Sequence, residues 1–116
     1  MASLTTAATK TLVKHSTESI LFGFDFGPLL NSGETLSSVT VTGSPSGLTI
    51  ASAGSATVKA TSWSDELTGE TIAANEGAQI RISGGTTATD YTLTATATTS
   101  AGNTRVLLCT LQVRDT

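Results

Sequence analysis

A chain of 116 residues, 38% hydrophobic, 13% charged and 4% aromatic, is sized for one domain with a modest core. The low charge argues against a disordered chain, which combines high charge with low hydrophobicity. A net charge of −3 argues against a nucleic-acid binder, which presents a basic face.

Residues 1–17 read as an N-terminal arm ahead of a domain spanning 18–116. The arm is weakly patterned and holds Lys10, Lys14 and His15, with no acid before Glu18. Two readings are open: a loose terminus, or a segment that orders against a neighbouring subunit. In the second reading Leu4, Leu12 and Val13 are the anchors, and Lys10 and Lys14, if exposed, add only small, salt-sensitive terms. The arm lacks a basic region followed by an apolar core, so it is not a secretory signal. Synthesis in the cytoplasm is expected. The longest uninterrupted apolar run, Val106 to Cys109, is far short of the roughly twenty residues of a membrane span.

From Glu18 the residues alternate, placing Ile20, Phe22, Phe24 and Phe26 on one face. These are all three phenylalanines of the protein, so this first strand supplies the main core volume. Gly27-Pro28 ends it, because proline brings no ladder donor. Asn31-Ser32-Gly33 is a turn. A second strand spans about Thr35 to Thr42 with Val39 and Val41 inward, and Gly43 to Gly47 is a loop. Short strands follow near 48–51 and 56–62.

Trp63 to Gly77 carries Asp65, Glu66, Glu70 and Glu76, with no base between Lys59 and Arg81. Ser64 ahead of Asp-Glu-Leu suits the cap of one helical turn. The ligand spacing of a calcium loop is missing, which leaves a solvated acidic loop or a contact through Asp65 and Glu66. Trp63, the lone tryptophan, either closes one end of the fold or meets a partner or a sugar.

The last third is the clearest pattern. Tyr91, Leu93, Ala95 and Ala97 alternate with threonines, giving a half-buried strand. Ser100 to Asn103 reverses the chain. The return strand, 104–113, puts Leu107, Cys109, Leu111 and Val113 on one face and Val106, Leu108, Thr110 and Gln112 on the other. Cys109, the single cysteine, is therefore a buried structural thiol with no internal disulfide partner. Tyr91 after Asp90 resembles the tyrosine corner of immunoglobulin-like sandwiches, whose hydroxyl bonds back to nearby backbone. Period-two patterning between turn residues gives the fold expectation: all-β, seven or eight strands in a two-sheet immunoglobulin-like sandwich.

Several of these words carry a resemblance. Ile82-Ser83-Gly84-Gly85-Thr86, Thr89-Asp90-Tyr91-Thr92, Thr98 to Gly102 and Leu111-Gln112-Val113-Arg114-Asp115 resemble a family of small bacteriophage virion proteins, the fibre-tail adaptors. Phe24-Asp25-Phe26, Leu29-Leu30, Gly33 to Leu36 and Pro45 to Thr49 fit it too. The 63–77 stretch looks longer than the family's usual link. The resemblance implies an immunoglobulin-like sandwich, a place in the virion, an oligomeric setting and other tail, fibre or capsid subunits as partners.

The chemistry inventory agrees with a structural role. One histidine and one cysteine do not make a zinc site or a nucleophilic site. Proline occupies the serine position of a nucleophile elbow at Gly43 to Gly47. No phosphate-binding loop is present. The expectation is a non-enzymatic module without cofactor, catalytic or metal residues, binding neither nucleic acid nor membrane, and joining virion parts at a tail or fibre junction. A capsid decoration protein is the alternative within that class, and a carbohydrate-binding or host-adhesion module the alternative outside it.

Overall fold

The computed structural model describes residues 10–64 and 71–115. The chain is all-β, and the described residues form ten strands: β1 (Lys10–Lys14), β2 (Ile20–Asp25), β3 (Leu36–Ser44), β4 (Leu48–Ile50), β5 (Ser55–Val58), β6 (Trp63–Ser64), β7 (Thr71–Ile72), β8 (Gly77–Gly84), β9 (Thr89–Thr99) and β10 (Thr104–Val113). The helical turn anticipated after Ser64 falls on residues outside the described ones.

Eight strands make one curled sheet in the order β1-β10-β9-β3-β5-β8-β2, with β4 also on β8. β6 and β7 pair separately. The turning point is β5. Ser55 and Ala56 pair with Thr40 and Val39 of β3, whereas Thr57 and Val58 pair with Gln79 and Ala78 of β8. One short strand thus changes partners midway, and hydrogen bonding runs without a break where two separate sheets were expected. Gly54 makes the tight approach possible. Its φ is +90°, and a Cβ there would stand 2.4 Å from the Val41 carbonyl oxygen.

The curl wraps a single core. Phe22, Phe24 and Phe26 come from the β2 side, Val39 and Val41 from β3, Ile80 and Ile82 from β8, Tyr91, Leu93, Ala95 and Ala97 from β9, and Leu107, Cys109, Leu111 and Val113 from β10. The alanines of β9 let bulky neighbours approach, and the phenylalanines fill the remaining space. The Ala/Thr alternation of β9 forms the middle of the sheet, bonded to β10 on one side and to β3 on the other.

The N-terminal segment departs from the arm expected over 1–17. Lys10–Lys14 is a strand of the sheet itself, parallel to β10, with Leu12 opposite Leu111 and Lys14 opposite Val113. The physical reason is period two. Leu12 and Lys14 share the inward side, and the edge of β10 offers unpaired backbone for a ladder. Leu12 packs partly buried against the core. The backbone amide of Arg114 donates to the Lys14 carbonyl at 2.9 Å.

Candidate interaction face

The curled sheet has an outer surface, and over β1, β10, β9 and β3 it has an unusual composition. In register, Leu108 pairs with Thr94, Val106 with Thr96 and Thr110 with Thr92 across β10 and β9. Thr94 and Thr96 continue onto Thr42 and Thr40 of β3. Thr11 lies opposite Thr110, and Val13 opposite Gln112. The result is a field of threonines with an apolar stripe. Val13, Val106 and Leu108 are 59%, 49% and 49% exposed, the large exposed hydrophobics among the described residues. A shallow depression of about 370 Å³ lies between β1, β10 and β9, lined by Thr11, Thr92, Leu108, Cys109 and Thr110. Arg114 and Asp90, beyond the ends of this stretch of β10 and β9, neutralise each other in an ion pair of 2.5 Å. A flat, uncharged, partly apolar surface loses little on desolvation, which is what a protein contact requires.

The sequence-derived contact residues distribute unevenly around this face. Val13 lies on it. Leu12 faces inward, and Lys10 opens β1 opposite Cys109. Lys14 is 1% exposed, so its side chain is engaged within the chain. Its ammonium donates to the carbonyls of Gly84 at 2.5 Å and His15 at 2.8 Å. Desolvation lowers its pKa, against raising contributions from Glu18, Asp115 and Tyr91. It acts as a peg tying β1 to the turn after β8. Leu4, Asp65 and Glu66 lie outside the described residues. Trp63 is half-buried on the β6–β7 hairpin, with the Lys59 ammonium 5.6 Å from its ring centroid.

Val106 and Leu108 carry the face, and neither was singled out from the sequence. Their signal was present: Val106 to Cys109 is apolar on both sides of a strand whose partner, β9, is apolar on one side only. A strand facing solvent on one side has no structural need of leucine there.

Other polar clusters secure the fold. The Glu34 carboxylate, 6% exposed, accepts from the Asn31 backbone at 2.9 Å, from Asn103 Nδ2 at 2.9 Å and from the Thr99 hydroxyl. These bonds hold its pKa below the ordinary glutamate range, the Asn31 amide contributing most. Asp115 accepts from the backbone and hydroxyl of Ser16, each at 2.8 Å, and its pKa is lowered chiefly by the backbone bond. The Tyr91 hydroxyl accepts the Thr86 backbone N–H at 2.9 Å. His15 Nδ1 lies 3.6 Å from Asp115 and accepts the Thr17 N–H at 3.1 Å, while Cys109 lies in the core. Among the described residues no group of three or more His, Cys, Asp or Glu side chains is placed to hold a metal ion. Among the described residues no helix is long and apolar enough to cross a membrane.

A family model, described as podophage GP4 fiber-tail adaptor protein gp77, matches residues 14–112. The chain belongs to this family. It is a phage fibre-tail adaptor protein of the virion. No curated protein matches the sequence. The matched span covers the curled sheet from Lys14 nearly to the end of β10, so the outer face of the adaptor lies within it apart from Thr11 and Val13 of β1.

Proposed function

We propose that this adaptor is a non-enzymatic joint at the fibre–tail junction, and that it seats a neighbouring virion protein on the threonine-rich face around Val106 and Leu108. The observation that carries the reading is the pairing of the family match with the exposed apolar stripe of Val13, Val106 and Leu108 on the outer face. The curled sheet suits such a joint. With its two halves taken as layers over one core, it is an immunoglobulin-like sandwich variant that β5 stitches together. Threonine and valine offer flat, rigid contact area with little side-chain entropy to lose. Leu108 beside the shallow depression is the natural anchor for a partner side chain. The contact is with protein subunits of the particle, in an oligomeric setting, and with neither nucleic acid nor membrane.

The test is Leu108→Lys together with Val106→Thr. Both residues are about half exposed, so each change should alter stability by no more than about 0.5 kcal/mol. Leu108→Lys should strongly reduce joining of purified adaptor to fibreless or adaptorless tails, and Val106→Thr should do so mildly. Full joining by a folded Leu108→Lys adaptor would move the contact elsewhere.

A further inference from the structure

A second surface feature lies on the opposite part of the sheet. Between β2, β8, β5 and the turn 51–54 there is a depression of about 250 Å³. Its polar walls are Lys59, Arg81, Gln79, Thr57, Ser55 and Ser52. Two cations line it and no carboxylate does, in a protein of net charge −3. Asp25 of β2 accepts the Gly27 backbone N–H through Oδ1 at 2.9 Å.

The donors are arranged, not scattered. The Arg81 guanidinium is fixed through one nitrogen, which donates to the Ser19 carbonyl at 3.1 Å and hydroxyl at 3.3 Å. That leaves the other guanidinium nitrogens available to an incoming oxygen, since Arg81 lines the depression. Lys59 is held over the Trp63 ring. Gln79 sits between them in register, opposite Thr57 on one side and Gly23 on the other. The fourth wall is strained: Ser52 and Ala53 have φ of +55° and +54°, a left-handed conformation that side chains other than Gly and Asn adopt at a cost. Such strain persists where the surroundings enforce it, and it concentrates at ligand sites.

We propose that this depression is a socket for an acidic stretch of a partner protein, with Lys59 and Arg81 as its carboxylate anchors. The choice of a protein partner rests on the adaptor reading; the binding itself does not. Arginine presents parallel donors that match a carboxylate, lysine adds a point charge, and the amide and hydroxyls complete the shell. The volume is smaller than a typical cofactor pocket of roughly 300–1,000 Å³ and suits one or two acidic side chains. Nucleic acid would call for a longer basic track, since affinity there grows with the number of phosphates neutralised. Opposite charge at such a socket sets orientation and encounter rate as well as affinity.

The experiment uses the purified full chain and an acetylated, amidated Glu-Asp-Glu-Asp peptide. Trp63 is the single tryptophan and the Lys59 ammonium stands 5.6 Å from its ring centroid, so intrinsic fluorescence follows the Lys59 side of the socket, and backbone amide shifts map the whole. The expected result is saturable binding, weakened by salt, with shifts centred on Thr57, Gln79, Arg81 and Ser52. Lys59→Gln and Arg81→Gln should each weaken it about tenfold, and inorganic phosphate and a tetralysine peptide should bind much more weakly or not at all. Because Arg81 also holds Ser19, Lys59→Gln decides the matter if Arg81→Gln unfolds. No saturable binding, shifts elsewhere, or unchanged affinity in Lys59→Gln overturns the proposal. So does phosphate binding as tightly as the peptide, which would make this a general anion site. Failure here would leave the Leu108 face standing, and failure of the Leu108 test would leave the socket standing.

Discussion

Lys14 is the residue whose environment departs furthest from expectation. An exposed lysine on a free arm has no pH signature of folding. A lysine buried at the sheet edge and held by two carbonyls has one, because desolvation lowers its folded-state pKa below the unfolded value. Between those two values the unfolded chain binds more protons, so stability should rise with pH as the ordinary lysine pKa is approached from below. Lys14→Met should remove that rise, as measured by denaturant midpoints across the alkaline range. Glu34 gives the opposite limb. Its folded pKa is lowered, so its contribution is present above the ordinary glutamate range and is lost as pH falls through the lowered value. Glu34→Gln should be less stable at neutral pH and show a shallower acid limb. Tyr91→Phe strands the Thr86 N–H and should cost about 0.5–1.5 kcal/mol, visible in the unfolding midpoint.

At the scale of elements, the decisive piece is the corner strand β5 and the turn that feeds it. Gly54→Ala would press a Cβ onto the Val41 carbonyl and force a left-handed backbone on alanine. It should destabilise by about 1–3 kcal/mol or more, and thermal melts would show it. The hairpin of β9 and β10 was legible from sequence because its period-two pattern extends over ten residues or so on each side of a turn. Phe22, Phe24 and Phe26 were legible for the same reason. β1 was not: a five-residue strand with lysines at both ends has no apolar alternation, and only its partner β10 reveals that Leu12 and Lys14 point inward. β5 was read as a strand, but its change of partner is a tertiary property that no local pattern encodes. Val106 and Leu108 were seen to share a face, yet their exposure, about half for each, is a tertiary property that the local pattern does not carry. The socket of Lys59 and Arg81 joins residues 22 positions apart in sequence, brought together by register alone.

At the scale of the whole molecule, the proposed joint has two different surfaces on one sheet. The β1–β10–β9–β3 side is neutral and partly apolar, suited to a broad contact. The β2–β8–β5 side offers a small cationic socket, suited to an oriented one. A continuous core from Phe22 to Val113 fixes the two surfaces relative to each other, which is the mechanical requirement of an adaptor. The most direct measurement is a cryo-electron microscopy reconstruction of the assembled tail with the adaptor in place. The account predicts density for this chain at the fibre–tail junction, with Val106 and Leu108 buried against a neighbouring subunit. The chain found elsewhere in the particle, or found at the junction with that face open to solvent, would contradict it.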